Sequence, residues 1–318
     1  MKSYYYETSF GSLFKHGEEL CGDKVEIAKN GTDTTMVLAD GLGSGVKANI
    51  LASLTSKIVS TMLNAGADIP DVIETMASTL PVCQERLVAY STFTFLRVSP
   101  TGEAHIVEYD NPPLIILRDG KSLDLPRREV EIEGKLIKET NIQLQPGDFC
   151  VFFSDGVIHA GIGKLLNLGW QQGNVVEYLE KAYRKDASAH YMQTQLLAAC
   201  NSLYMESPGD DTTVAVCKVR LPNVAYVMVG PPVDSKEDET LVNELLHFDG
   251  TKIICGGTTS QIVCRVSGRE IRTMIDYISP DVPPIAKIEG IDLVTEGVIT
   301  LGKALELMKK YEQGGVGR

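Results

Sequence analysis

Apolar positions along this chain follow two rhythms. Over the first two-thirds, short apolar runs are closed by turn residues. Val25–Lys29 and Thr34–Ala39 flank Asn30-Gly31, a pairing that favours a tight hairpin. Ser44–Asn64 carries Ile50, Leu51, Leu54, Ile58 and Met62 on one helical face, and Gly66 stops it. A second amphipathic helix is expected over Asp71–Leu80, through Val72, Ile73, Met76 and Leu80, before Pro81. Residues 91–98, 103–109 and 113–118 read as successive strands, with turns at Pro100-Thr101-Gly102 and Asn111-Pro112. Phe149–Ser154 reads as a short buried strand, 174–206 as two helices and Thr212–Val219 as a last strand. Hairpins dominate and strand–helix–strand alternation is missing. The expected fold class is therefore α+β, an antiparallel β-sandwich flanked by helices.

After Leu221-Pro222 the rhythm changes. Ala225–Val229 reads as a strand, Lys236–Phe248 as a helix, Lys252–Cys255 as a strand and Thr259–Val266 as a helix. Short strand signals follow, including Ile271–Ile275, and Thr300–Tyr311 is a final helix. Alternating strands and helices predict a small parallel sheet. The expected division is a first domain over 1–221 and a small α/β domain, of possible regulatory role, over 222–318, with Gly314–Arg318 as a frayed tail.

Composition narrows the choices. The chain has 318 residues, enough for two domains, and no apolar run long enough to span a membrane. Met1-Lys-Ser-Tyr-Tyr-Tyr6 lacks the apolar core of a signal peptide, so a cytoplasmic protein is expected. A net charge of −12 gives no bulk attraction to nucleic acid or to anionic membranes. The seven cysteines form no C-x-x-C pair and precede no arginine at thiolate-phosphatase spacing, so they read as small buried hydrophobes. The histidines show no metal-ligand spacing, and Trp170 and Tyr4–Tyr6 read as packing residues.

The chemistry lies in the aspartates. Gly22-Asp23, Asp40-Gly41, Asp155-Gly156 and Gly209-Asp210-Asp211 each put a carboxylate beside glycine at a strand end. One Asp-Gly alone is a turn. Four whose strands share a core would crowd ionised carboxylates that repel one another. Hard divalent cations with oxygen ligands, Mg²⁺ or Mn²⁺, resolve that crowding, and glycine lets a backbone carbonyl join them.

Five stretches in order then carry a resemblance. They are Gly17-Glu-Glu-Leu-Cys-Gly-Asp23, Leu38-Ala-Asp-Gly-Leu-Gly-Ser-Gly-Val-Lys-Ala48, Tyr109-Asp-Asn-Pro-Pro-Leu114, Leu144–Val157 and Gly209-Asp-Asp-Thr-Thr-Val214. Over roughly residues 10–220 the chain resembles PPM (PP2C-type) phosphatases of the bacterial SpoIIE/RsbU-like branch. The resemblance implies a helix-flanked β-sandwich and metal-dependent serine/threonine phosphoprotein phosphatase activity. It implies that Asp40 bridges two Mn²⁺ or Mg²⁺ ions, with the Gly41 carbonyl on one of them. Asp23, Asp155 and Asp210 complete the set, and Asp211 matches the motif's second acid. Hydroxide bridging the two metals would attack phosphorus in line, with no covalent enzyme intermediate. The resemblance implies that Asp40 and Asp155 are the acids on which catalysis most depends.

There are departures. Leu42 stands where the eukaryotic branch has a histidine, Thr212 stands where Met is common, and no phosphate-binding arginine is evident. The alternative is an inactive phosphatase-like regulatory binding module. Gly41–Lys47 is not a P-loop, because its glycine-to-lysine spacing is wrong and Ala48 replaces Ser/Thr. The resemblance implies a phosphoserine or phosphothreonine protein as substrate, such as an anti-sigma-factor antagonist. The two helices after Asp40-Gly41 either cover the sheet or also form a homodimer or partner surface that controls the metal site.

In the second domain, Lys252-Ile-Ile-Cys-Gly-Gly-Thr-Thr-Ser260 runs from a strand through two glycines into a helix. This is either a tight turn with a hydroxyl cap or an anion site at a helix N-terminus. Leu293-Val-Thr-Glu-Gly-Val298 is a candidate second loop on the same edge.

Overall fold

The computed structural model describes residues 3–79, 91–132, 135–273 and 283–312. Leu80, Pro81, Cys83, Met274, Ile275 and the Gly-rich tail, which figure in the reading above, lie outside the described residues. The chain divides into two compact units, Met1–Pro222 and Asn223–Arg318.

In chain order the first unit contains β1 (Tyr5–Leu13), β2 (Asp23–Asn30), β3 (Asp33–Gly41), α1 (Gly45–Asn64), α2 (Ile69–Thr79), β4 (Ser91–Val98), β5 (Glu103–Tyr109), β6 (Ile115–Arg118), β7 (Lys121–Ser122) and β8 (Arg128–Ile132). Then come β9 (Lys135–Gln143), β10 (Phe149–Phe153), α3 (Asp155–Ile158), α4 (Gln172–Ala182), α5 (Ala189–Leu203) and β11 (Thr212–Arg220). The strands form two antiparallel sheets, ordered β1-β11-β10-β6-β7 and β2-β3-β4-β5-β9-β8.

Met36–Ala39 of β3 and all of β10 are apolar at every position because both faces are covered. Met36 and Leu38 of β3 meet Cys150 and Phe152 of β10 between the sheets. Val37 and Ala39 face the other way, against Ala52, Val59, Val72 and Ile73 of α1 and α2. Phe149, Val151 and Phe153 pack outward on Val175, Leu179, Met192 and Leu196 of α4 and α5. The result is four layers, helices–sheet–sheet–helices.

α1 differs from the amphipathic reading. Its buried face is Gly45, Ala48, Ala52, Thr55, Ser56, Val59, Ser60 and Leu63. Ile50 and Leu54 are exposed, at 52% and 44%. Small residues let the helix press on the sheet: a Cβ on Gly41 would meet the Ala48 carbonyl oxygen at 2.1 Å. Leu51, Ile58 and Met62 pack at the margin. β1, β8 and β9 escaped the pattern analysis. β1 and β8 are edge strands, and all three carry polar residues on weakly covered faces.

The second unit has β12 (Ala225–Val229), α6 (Asp238–His247), β13 (Thr251–Cys255), α7 (Gly257–Ser267), β14 (Arg272–Thr273), β15 (Ala286–Lys287), β16 (Leu293–Thr295) and α8 (Val298–Glu312). The sheet order is β12-β13-β16-β15-β14. β12, β13 and β16 are parallel, and β15 and β14 are antiparallel additions. Met228, Ile254 and Val294 pack on Val242, Leu245, Ile262 and Val263. Among the described residues no helix is long and apolar enough to cross a membrane.

Candidate metal centre

Asp23 opens β2 and Asp40 nearly closes β3, and the two are directly paired across the antiparallel ladder. Like charges facing each other across a ladder destabilise it, so packing alone gives no reason for this pair. Asp23 is 5% exposed. Its Oδ2 accepts from Ser154 Oγ at 2.7 Å, and the Thr213 N–H donates to Ser154 Oγ at 2.9 Å. Its Oδ1 is buried without a hydrogen-bond partner of its own among the described residues. The neighbouring groups on the Asp23 carboxyl besides Ser154 are the Thr213 hydroxyl and the Asp40 carboxyl, which donates only while it keeps its own proton.

Asp155 starts α3 directly after β10, and Asp210 precedes β11. Together with Asp40, Gly41 and Ser91 they line a cleft of about 690 Å³. Burial raises the Asp40 pKa, and the charges of Asp23, Asp155 and Asp210 raise it further. Burial also raises Asp23 and Asp210, the latter helped by the charge of Asp155. Three acids that resist ionising, Asp23, Asp40 and Asp210, beside the Asp155 carboxylate are a donor set that a divalent cation stabilises. Among the described residues no three His, Cys, Asp or Glu side chains are drawn together closely enough to hold a metal ion by themselves. The orphaned Asp23 oxygen, the facing aspartates and the oxygen-only donors fit Mg²⁺ or Mn²⁺.

Glycines bring the backbone close. A Cβ on Gly156 would meet the Asp211 carbonyl oxygen at 2.1 Å, and the Tyr204 hydroxyl donates to the Gly156 carbonyl at 2.7 Å. The Gly41 N–H donates to the Gly22 carbonyl at 3.2 Å, and Ser91 Oγ donates to the Asp40 carbonyl at 2.7 Å. Asp211 is occupied differently from the other acids. Its two carboxylate oxygens accept from the Lys15 N–H at 3.0 Å and the Gly22 N–H at 2.8 Å. It pins the segment leading into Asp23.

Several cleft residues escaped the motif reading. Lys15 Nζ stands 3.8 Å from Asp210, and His159 Nδ1 stands 3.6 Å from Asp155. Lys138 reaches the cleft from β9. His159 follows Asp155 by one helical turn, a spacing that could have signalled it; Lys15 and Lys138 have no local signal. Glu108 accepts from the Leu114 N–H at 2.6 Å and from Arg127 Nε at 2.8 Å, which closes the Tyr109–Leu114 loop along the cleft wall.

A helix-flanked pair of antiparallel sheets around an aspartate cleft is the architecture of PP2C-type phosphatase domains. The family model described as stage II sporulation protein E (SpoIIE) matches residues 30–220, well over half of the chain, and the chain belongs to that family. Solved structures agree at the level of fold. The PP2C phosphatase domain with a regulatory fragment of the cell fate determinant SpoIIE from Bacillus subtilis superposes with a TM-score of 0.59 at 20% identity. That match covers 70% of this chain and 66% of the other. The SpoIIE phosphatase domain in a crystal form without domain swapping gives 0.55 at 18% identity, covering 73% of this chain and 100% of that one. The RsbU and RsbW domains of a Mycobacterium tuberculosis protein give 0.50 at 18% identity, covering 76% and 68%. No curated protein sequence matches significantly.

Proposed function

We propose that this chain is a metal-dependent serine/threonine phosphoprotein phosphatase. Its two Mn²⁺ or Mg²⁺ ions would be held by Asp23, Asp40, the Gly41 carbonyl, Asp155 and Asp210. The observation that carries this reading is the cross-strand pair Asp23–Asp40, whose Asp40 lines a cleft that Asp155 and Asp210 also line. Bound there, the ions would lower the pKa of an attacking water and offset charge on the phosphoryl oxygens. The chain itself holds the carboxylates in place. Ser154 orients Asp23, Ser91 fixes the Asp40 backbone, and Asp211 anchors the strand entry. Lys15 and Lys138 put positive charge on the rim, where a phosphate dianion would enter.

The substrate class follows from the SpoIIE/RsbU resemblance: phosphoserine or phosphothreonine on a small regulatory protein, such as an anti-sigma-factor antagonist. We also infer self-association through α1. Val46, Ile50 and Leu54 recur every fourth residue along the helix and stay exposed, at 60%, 52% and 44%. The test of activity is hydrolysis of p-nitrophenyl phosphate and of a phosphoserine peptide by the full chain, with Mn²⁺ titrated in and then chelated. Turnover should require the metal. A folded chain that binds Mn²⁺ but turns over neither substrate is a regulatory binding module, and full activity in chelator would falsify the two-metal reading.

A further inference from the structure

The small unit has a collection point of its own. β12, β13 and β16 leave the parallel sheet at one edge, continuing into Gly230-Pro231-Pro232, Gly256-Gly257 and Glu296-Gly297. The last two loops touch. The Gly256 N–H donates to the Thr295 carbonyl at 2.9 Å, and a Cβ on Gly297 would stand 3.3 Å from the Gly256 nitrogen. α7 and α8 both start here, so two helix N-termini open on this edge.

The two ends are finished differently. Glu296 Oε2 accepts from the Ile299 N–H at 3.3 Å, which caps α8. α7 has no side-chain cap and no acidic residue in its first turn. Ser260 is the first residue of α7 whose N–H reaches a carbonyl, that of Gly256 at 3.0 Å. The amides of Gly257, Thr258 and Thr259 precede it, with no intrahelical partner and the positive end of the helix dipole behind them.

A second observation is independent of the helix end. Thr259 is 1% exposed, and its Oγ1 has no hydrogen-bond partner among the described residues. That hydroxyl is directed at the turn: a Cβ on Gly256 would lie 3.3 Å from it. Thr295, 6% exposed at the end of β16, has an unpartnered Oγ1 too. A buried hydroxyl left unpaired destabilises the fold, and valine, of the same shape, would avoid that cost. Space lies over the turn, because a Cβ on Gly257 meets nothing within 4 Å and its φ is not in the left-handed region. Beyond it runs a cleft of about 520 Å³ between Pro231-Pro232 and the face of α7 that carries Thr258, Gln261, Ile262 and Arg265. Arg265 is steadied there by an ion pair with Asp238.

We propose that this edge binds a phosphate-bearing small molecule. Its phosphate oxygens sit on the amides of Gly257, Thr258 and Thr259, and Thr259 Oγ1 donates to them. The rest of the molecule lies along the Pro231–Arg265 cleft. A tetrahedral anion fits because amides and a hydroxyl converge from several directions, and open α/β sheets gather ligands at this edge.

The experiment is hydrogen-exchange mass spectrometry on the full chain, reading peptides that span residues 255–266. The probes are inorganic phosphate and AMP, each at about 10 mM, some ten times a millimolar dissociation constant. Slowed exchange at the start of α7 is expected with AMP. Equal slowing with phosphate alone would identify the free ion as the source. Asp40→Asn in chelator should keep this protection, which separates it from phosphate binding at the aspartate cleft. Gly257→Val should abolish it. Thr259→Val, whose shape is unchanged, should raise the apparent dissociation constant about tenfold, the loss of one hydrogen bond to a charged group. No protection by either probe overturns the proposal. So does protection that both variants leave intact.

Discussion

The aspartate cleft of the first unit and the glycine edge of the second are built alike and charged oppositely. Both sit where strands end, and both use glycine to bring backbone within reach. In the first, antiparallel strands deliver carboxylates, and the result is a site whose groups resist sharing negative charge. In the second, parallel strands deliver helix N-termini and hydroxyls, with no acidic residue in the first turn of α7 and with Glu296 taken up in capping α8, and the α7 turn is left with unpaired donors. Strand direction therefore matters beyond architecture. Antiparallel pairing can set two aspartates face to face, whereas parallel crossovers aim helix dipoles at one edge.

The strongest test of this contrast is Asp40→Asn. Metal-dependent hydrolysis should fall at least about a hundredfold, the scale of losing one electrostatic group at a reacting centre. The melting temperature of the metal-free protein should rise, because a buried like-charge contact is gone. A fall in both would mean that Asp40 serves the fold.

Gly156→Ala comes next. Its Cβ would meet the Asp211 carbonyl at 2.1 Å, so backbone must move, at about 1–3 kcal/mol of stability measured by urea unfolding. Gly257→Ala, with open space above it, should cost far less. Equal costs would remove the distinction between a packed and an open glycine turn.

The third test is pH. Asp23, Asp40 and Asp210 have raised pKa values in the fold. The folded, metal-free chain thus binds more protons than the unfolded chain above the ordinary aspartate value of about 4. The stability these groups contribute is present below that value and is lost as pH rises through their folded values. Thermal unfolding in chelator should show a falling melting temperature from pH 5 to pH 8, about the physiological span. Saturating Mn²⁺ should flatten that slope, since bound cations replace the protons.

The smallest expected effect is Ile50→Glu. An exposed side chain should change monomer stability by no more than about 0.5 kcal/mol. Light scattering should nonetheless show loss of self-association. An unchanged association state would leave α1 as a simple cover for the sheet.

Much of this molecule was legible before folding. The apolar runs around Met36–Ala39 and Val151–Phe153 announced covered strands, Asn30-Gly31 announced a hairpin, and the ordered Asp-Gly motifs announced the family. Local pattern suffices there because burial on both faces writes itself into every residue of a strand. Other features depended on partners distant in sequence. The face of α1 was misread because proximity to Gly41 selects small residues, and small residues weigh little in an apolar pattern. β1 and β8 were silent because an edge strand is half solvated. Lys15, His159, Ser91 and Lys138 joined the cleft only when four separate segments met. The sequence by itself determined which residues could carry charge, which runs had to be buried and where the chain could turn. The tertiary structure alone decided that Asp23 faces Asp40, that both Asp211 oxygens are taken by amides, and that the Thr259 hydroxyl is buried without a partner. Those outcomes turn on distances of a few ångströms between residues far apart in the chain, and a one-dimensional pattern does not encode such distances.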